Sequence, residues 1–523
     1  MYIVALLALG GALPPGSIST EQCTMPLHPS QRTAQFDIRD VNVSDVASCC
    51  SACEAEPSCK YFEFVHTKNR CWLKTSGAGP KKYDITCTSG GITPPDRCRN
   101  DDDCSLCGTC NVSSGVCRCD RGFTGMHCEL LNMGNPTKCG EGGLCMHGEL
   151  VDGSKNGVAS TTGYSTWGGS VVANADFSMF HMYASMFQMN ASLEPKCESV
   201  TCAGWETNSA VVHATSQRAG GPYTAVDIAL GPRGRVTRIN NCTYKGGIPG
   251  TVCAVKEAND FWDAVTTHTP SATRIGEWYL IYYMGTMQNA TNAKNGFPCL
   301  TNDVPPRPSD RAGGPACQQR VGLAVSKDPH GPWLRYDQNG LHNVSDTGST
   351  FILPPGNLSA FDSAFTNNPT PLALPNASVL LVYKGRAAQC PACQSMRTGV
   401  AFAKTWRGPY KKRSSTHPFP VPPNCEDPTI YISPSGAYRV LFHCGCSYLV
   451  AVSRDGSRFR AIGQPKPWCD IKYEGGGSAR LRRRERPQWV MGADGHPTHL
   501  MTGVMPDQDS HRGQTWTMSV ELL

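Results

Sequence analysis

A phrase of two hairpins recurs five times along this 523-residue chain, and one sheet built from it cannot bury both of its faces alone. The first hairpins are WGGSVVANADFSMFHMYASMF from Trp167, HTPSATRIGEWYLIYYMG from His268, NNPTPLALPNASVLLVYKG from Asn367, EDPTIYISPSGAYRVLFH from Glu426 and ERPQWVMGADGHPTHLMTGV from Glu485. Each pairs an apolar β-rich run, a Gly or Asn turn and a second apolar-aromatic run. Second hairpins follow as VVHATSQRAGGPYTAVD from Val211, LAVSKDPHGPWLRYD from Leu323, AFAKTWRGPYKKR from Ala401 and AVSRDGSRFRAIG from Ala451, with TWTMSVELL left for the last copy. Pro369, Pro428 and Pro487 stand 59 residues apart, and the two earlier intervals are about 100 because cysteine-bearing loops interrupt them. Such units satisfy themselves by stacking around an axis, so the pattern predicts a mainly β fold: a five-bladed β-propeller over residues 132–523. The last strand is expected to close the ring against the segment near the first blade.

Cysteine usage sets the compartment and divides the rest. Twenty-eight cysteines point to disulfides in an oxidising environment, hence a secreted, extracellular protein. Eight N-x-S/T sequons agree: Asn42, Asn111, Asn190, Asn241, Asn289, Asn343, Asn357 and Asn376. Residues 1–18, with the apolar run YIVALLALGGAL, suit a signal peptide, and no later stretch approaches the roughly 20 apolar residues of a transmembrane helix. Charged residues make up 17 % of the chain and the net charge of +6 is dispersed, which argues against a nucleic-acid partner. Seven cysteines fall between Cys23 and Cys87 and seven between Cys98 and Cys128, separated by the linker TSGGITPPD.

Residues 94–129 resemble an EGF-like module in the spacing of Cys98, Cys104, Cys110, Cys117, Cys119 and Cys128 and in the ending CRCDRGFTGMHC. The resemblance implies the pairs Cys98–Cys110, Cys104–Cys117 and Cys119–Cys128. Cys107 is surplus and is expected to pair with the odd cysteine of the preceding segment. Only Asp96 precedes the first cysteine, so no calcium is expected there. Residues 23–87 resemble a PAN/Apple module through CCSACEAEPSCKYFEFVHTKNRCWLK. That implies a helix over 43–54 tied to a sheet, Cys53 and Cys59 in disulfides, and Cys23 with Cys87 closing the ends; either Cys49 or Cys50 bridges to Cys71. Both modules are expected to offer protein or glycan contacts, and two independent modules are expected between Cys23 and Cys128.

Polar, individual residues at the starts of the inner strands, on an otherwise repeating frame, mark the functional site. With the blade count and the S-x-x-x-x-G-P-[WY] hairpin (Ser326–Trp333), they make residues from Trp167 onward resemble the five-bladed propeller glycoside hydrolases, the arabinanase, levansucrase and invertase superfamily that includes family 43. The resemblance implies an extracellular glycan or glycoprotein as partner and carboxylate acid/base chemistry. Its candidates are Asp427, Glu426, Glu485 and Glu206, with Trp167, His268, Asn368 and Arg486 binding substrate. The blade-one aspartate of that superfamily is replaced by Trp167-Gly168-Gly169-Ser170, Asp176 lies in a turn, and Asp263 and Asp362 could reach inward from loops.

Alternatives stay open at these positions. The carboxylates could pair structurally with Arg482, Arg483, Arg484 or Arg486; His268 could be a satisfied histidine; and Trp167, Trp205 and Trp489 could be core rather than sugar platforms. The run Arg480 to Arg486 could bind anionic sugar, although a solvated loop partly paired with glutamate is the expectation. The alternative for the whole protein is a non-catalytic glycan-binding or adhesion protein on the same fold. No zinc, phosphate-loop or nucleophile-elbow motif occurs, so no metal or cofactor is expected.

Overall fold

The computed structural model of the chain describes residues 27–33, 37–56, 58–59, 61–65, 67–74, 81–91, 98–136, 150–151, 158–159, 164–188, 209–233, 235–239, 253–257, 262–263, 266–286, 319–337, 340–342, 351–357, 359–387, 396–413, 419, 421–422, 425–506 and 515–523. They fall into two compact units, residues 1–99 with 112–116 and residues 100–111 with 117–523.

The first unit is one helix on one sheet. Strands β1 (Leu27–Thr33), β2 (Asp37–Asn42), β3 (Tyr61–Val65), β4 (Arg70–Lys74) and β5 (Lys81–Gly91) pair in the order β1-β5-β3-β4-β2. Helix α1 runs Val46–Glu54, three residues shorter at its start than expected, because Asp45 is the N-cap and accepts from the Ser48 N–H at 2.7 Å. The open choice resolves to Cys49–Cys71, with Cys53–Cys59 beside it and Cys50 also disulfide-bonded. These sulfurs pack with Val46, Phe62, Phe64 and Leu73, so cross-links make up much of a small core. Cys23 lies outside the described residues.

The second unit opens with two short hairpins, β6 (Gly108–Asn111) with β7 (Val116–Cys119), and β8 (Phe123–Thr124) with β9 (Leu130–Leu131). Cys104–Cys117 and Cys119–Cys128 form as expected, and Cys98 and Cys110 are each disulfide-bonded. Two expectations are corrected here. Cys107 is a free, buried thiol, pushed up to about 12 by its burial, rather than a disulfide partner. Nor does this segment stand independently. The buried Arg439 guanidinium donates to Leu106 O at 2.8 Å and to the Tyr431 hydroxyl at 2.8 Å, pairs with Asp120, and lies 5.2 Å over Phe123. The Tyr448 hydroxyl also accepts from Leu131 N at 3.1 Å.

Five sheets follow in chain order, antiparallel except for one parallel pairing within the first, forming a β-propeller. The first has β10 (Leu150–Val151) and β11 (Val158–Ala159) outside β12 (Tyr164–Ala173), β13 (Phe180–Gln188), β14 (Ser209–Ser216) and β15 (Thr224–Leu230). After the hairpin β16 (Arg235–Ile239) and β17 (Cys253–Glu257), the second has β18 (Thr266–Ile275), β19 (Trp278–Thr286), β20 (Arg320–Ser326), β21 (Leu334–Asp337) and β22 (Gly340–His342). The third has β23 (Phe365–Ala373), β24 (Val379–Arg386), β25 (Arg397–Ala403) and β26 (Lys411–Lys412); the fourth has β27 (Glu426–Ile432), β28 (Tyr438–His443), β29 (Ser447–Ser453) and β30 (Arg460–Pro467). The fifth has β31 (Asp470–Lys472), β32 (Ser478–Met491), β33 (Pro497–Pro506) and β34 (Trp516–Glu521).

Inner strands β12, β18, β23, β27 and β32 neighbour one another in that order, and β32 returns to β12. Separate apolar clusters fill the spaces between neighbouring sheets. Tyr183 and Val211 pack with Ile281 and Tyr283, Leu280 and Tyr282 with Leu381 and Tyr383, and Met182 with Val490 and Met501. Each sheet thus buries both faces against its neighbours, which is what the repeated apolar runs require. Closure comes from the segment before the first sheet: Met133 bridges Leu522, Gly134 N donates to Glu521 O, and Leu523 N donates to Asn132 O. No helix among the described residues is long and apolar enough to cross a membrane.

Two further expectations differ. The arginine run is no loop but part of β32, where alternation buries Arg484 against Trp468 (4.8 Å) and Arg486 in the funnel while Arg480, Arg482 and Arg483 face solvent. Asp263 and Asp362 do not reach the funnel. Asp263 holds Arg233, Arg335 and the Tyr283 hydroxyl at 2.6, 3.2 and 2.8 Å; Asp362 holds Lys412 and the Tyr383 hydroxyl at 2.5 and 2.9 Å. They are equivalent fastenings of the second and third sheets.

Candidate active site

Every inner strand breaks at the same place. Its register to the second strand skips two residues between Trp167 and Ser170, His268 and Ser271, Asn367 and Thr370, Glu426 and Thr429, and Glu485 and Gln488. In each gap one residue is left-handed: Gly168 (φ 66°), Thr269 (47°), Asn368 (45°), Asp427 (52°) and Arg486 (54°). Four are followed by proline, which has no N–H to give the ladder and therefore suits a bulge. A bulge re-aims a side chain, and left-handed backbone at non-glycine residues stores strain that clusters at functional sites.

The five bulge residues meet at the neck of the funnel. Asn368 Nδ2 donates to Asp427 Oδ1, Arg486 N donates to Asp427 Oδ2 at 3.3 Å, and Arg486 Nη2 donates to Thr269 O at 3.2 Å. A Cβ on Gly168 would lie 3.0 Å from the Arg486 Cβ. Two residues further along each strand stand Ser170, Ser271, Thr370, Thr429 and Gln488, all buried and tied across sheets by bonds such as Ser271 Oγ to Gln488 Oε1 at 3.2 Å. Beyond this polar ring the opposite end of the axis opens as a cavity of about 390 Å³ bordered by Asn174, Phe177 and Trp489.

The chemistry-bearing groups crowd around Asp427. His443 Nδ1 lies 3.1 Å from Asp427 Oδ2 and its Nε2 3.6 Å from Glu426 Oε1. Lys384 Nζ is 2.5 Å from Glu426 Oε2 and 4.0 Å from Asp427 Oδ1, and Arg486 Nη1 is 3.9 Å from Asp427 Oδ1. Asp427, His443 and Glu485 each bring one ligand-type atom within 4.8 Å of the others. Glu426 and Glu485 are each 23 % exposed, whereas Asp427 beside them is 4 % exposed.

Position sets protonation. Burial of Asp427 favours its neutral form, but His443, Lys384 and Arg486 overcome that and hold the carboxyl far below the usual range. His443 is driven the other way: burial opposes its charge, yet Asp427 and Glu426 raise it to about 9, so it is an imidazolium at neutral pH. Burial raises Glu485, with Asp427 and Glu426 adding to the effect and His443 opposing it. Although Asp427, His443 and Glu485 have metal-donor spacing, Lys384 and Arg486 already serve as counter-cations and His443 carries a proton, so this donor set does not fit a metal ion.

The sequence candidates separate accordingly. Asp427, Glu426, Glu485, Asn368 and Arg486 come together; Glu206 and Trp205 lie outside the described residues. Trp167 is one residue short of the neck and packs in the wall, where a Cβ on Gly503 would lie 2.6 Å from its ring. His268 is buried against Ser209 Oγ at 2.7 Å and lowered to about 3 by burial and the Arg486 charge, a neutral packed histidine. Trp489 is buried edge-on to Tyr431, and Asp176 caps an exposed turn through Ser178.

Lys384 and His443 were not singled out, yet they sit directly opposite Asn367 and Glu426 on the second strands. Their signal was present: a basic residue ending each of the otherwise apolar runs LLVYK and VLFH. The disulfide Cys425–Cys444 joins the residue before Glu426 to the residue after His443, fixing the two strands that carry this pair.

A family profile described as PAN domain matches residues 23–93. No curated protein sequence matches the chain. Among solved structures the chain is similar to Zg3597, a family 117 glycoside hydrolase of Zobellia galactanivorans, at 13 % identity and TM-score 0.43, over 72 % of this chain and 88 % of that one. It is similar to a GH43_1 enzyme from Xanthomonas citri at 11 % identity and TM-score 0.38, over 70 % and 90 % of the two chains. The GH32 beta-fructofuranosidase BmSUC1 of Bombyx mori gives 11 % identity and TM-score 0.38, over 69 % of this chain and 61 % of that one.

Proposed function

We propose that the chain is an exported glycan-acting protein, a five-bladed glycoside hydrolase-like propeller whose funnel cleaves a glycosidic bond with Glu485 as general acid and Glu426 as the facing carboxylate. The observation that supports it most is a contrast between two neighbouring carboxyls: Glu485 is raised by burial, while Glu426 is ion-paired with Lys384 at 2.5 Å. Glycosidic cleavage needs one group that keeps a proton for the leaving oxygen and another that stays charged. Asp427 is too fully countered to serve as the base. It positions His443 and Lys384 against Glu426 and keeps Glu485 basic enough to hold its proton. Glu426, 23 % exposed and salt-bridged to Lys384, is the facing carboxylate in this reading.

The N-terminal modules fit an attachment role: the PAN domain, and the EGF-like segment fastened to the fourth sheet through Arg439. Four sequons at exposed positions, Asn42, Asn111, Asn357 and Asn376, suit glycosylation during export.

The test is product release from a panel of polysaccharides and aryl glycosides by wild type and Glu485→Gln. Loss of the acid should lower turnover about 10²–10⁴-fold on substrates with poor leaving groups and much less on activated aryl glycosides, which need no protonation. Equal losses on both, or none, would remove Glu485 from the acid role. One observation favours the binding-only alternative: at the first sheet the neck offers Gly168, with no side chain to act. Saturable glycan binding without product in wild type would decide for that alternative.

A further inference from the structure

A second cluster of ligating side chains lies away from the funnel, at the other end of the strands. His181 pairs with Val172 and His213 with Asp227, well down the first sheet from the bulge at Gly168. His330 reaches them from the Ser326–Trp333 turn of the second sheet. That turn is held in place by the Tyr183 hydroxyl donating to Pro329 O at 2.6 Å, by Asp328 Oδ1 accepting from His330 N at 2.8 Å, and by Trp333 packed edge-on to Tyr183 at 5.3 Å.

The arrangement is hard to explain as packing alone. His213 is fully buried, and its Nδ1 has no hydrogen-bond partner among the described residues; neither has the buried Oδ1 of Asp227. These two orphans face each other at 3.5 Å, without hydrogen-bond geometry. One ligand atom each from His213, Asp227 and His330 lie within 4.8 Å of one another. Two donors bound at about 2.0–2.1 Å to a tetrahedral zinc stand roughly 3.3 Å apart, close to the spacing of this pair. The remaining His213 nitrogen, Nε2, is 3.0 Å from His181 Nδ1. A metal-ligating histidine usually donates its other N–H to a partner that fixes its tautomer, and the ring nitrogen of His181 stands where such an acceptor is needed.

We propose that His213 Nδ1, Asp227 Oδ1 and a ring nitrogen of His330 bind a zinc-class divalent cation, with His181 orienting His213 from behind. The cation clips the second sheet's turn to the first sheet. Asp227 is 30 % exposed and His330 is exposed, so ions have a path in and a fourth position is left for water. The donor set of two imidazoles and one carboxylate suits zinc over calcium or magnesium, which prefer all-oxygen shells. This site is independent of the hydrolytic proposal.

The test is zinc titration calorimetry on the full-length protein after chelation, with thermal unfolding with and without zinc. Wild type should bind one zinc in this site and unfold at higher temperature when loaded, since a ligand that binds only the folded state stabilises it. His330→Ala and Asp227→Asn, both at exposed or half-exposed positions, should weaken zinc at least tenfold and abolish the thermal shift. His181→Phe should weaken it about 10–100-fold, as expected for an orienting partner. Glu485→Gln, in the funnel, should change nothing. Absence of zinc binding in wild type, unchanged affinity in both His330→Ala and Asp227→Asn, or loss of zinc with Glu485→Gln would overturn the proposal.

Discussion

Asp427 is buried among His443, Lys384 and Arg486, and removing its charge strands three cations at the neck of the funnel. Breaking a buried charged cluster by deleting one partner costs about 3–5 kcal/mol. Asp427→Asn should therefore lower stability by that order as well as turnover, measured by denaturant titration beside the release assay. His443 gives the site a pH signature. Its folded value of about 9 lies above its unfolded value of about 6.5, so its contribution, on the order of 3 kcal/mol, is complete below pH 6.5 and lost as pH rises through 9. His268 acts in reverse. Lowered to about 3, it contributes above pH 6.5 and loses its contribution as pH falls toward 3. Thermal midpoints across pH should peak near 6.5–7 and fall on both sides; His443→Gln should flatten the alkaline limb.

At the scale of single elements, the bulge is the repeated device. Gly168 combines φ 66° with a Cβ position 3.0 Å from Arg486. Gly168→Ala should cost about 1–3 kcal/mol and displace Arg486 from Asp427, read as a lower unfolding midpoint with reduced activity. The strands themselves were legible, because alternating and continuous apolar runs with Gly or Asn turns have few other solutions. The acidic and basic members Glu426, Asp427, Glu485 and Arg486 were legible as polar exceptions on a repeating frame. Trp167 and His268 missed the neck by one residue. A bulge shifts which side chain points inward, and no apolar pattern records the insertion. Asp263 and Asp362 were misjudged for a similar reason: the basic residues and tyrosines that capture them are distant in sequence. Asp263→Asn should destabilise by about 3–5 kcal/mol in unfolding titrations without altering substrate affinity, since Arg233 and Arg335 lose their shared counter-ion.

For the molecule as a whole, closure rests on the last eight residues. Deleting 516–523 removes β34 and its bonds to residues 132–134, and should leave a chain that fails to unfold cooperatively in a thermal scan. Cys107 offers an independent check of how the cysteine-rich segment sits: the peptide that carries it should resist alkylation natively and become alkylated after denaturation without reductant, read by peptide mapping. The sequence by itself determined the period, the sheets, the cysteine groups and the carboxylates of the funnel, since these follow from local pattern and composition. Tertiary structure alone decided that Cys107 stays unpaired, that Arg439 fastens the cysteine-rich segment, that Lys384 and His443 complete the site, and that His213, Asp227 and His330 meet. The last three are contacts between residues tens to hundreds of positions apart, and such contacts are set by how the sheets stack, which local periodicity does not encode.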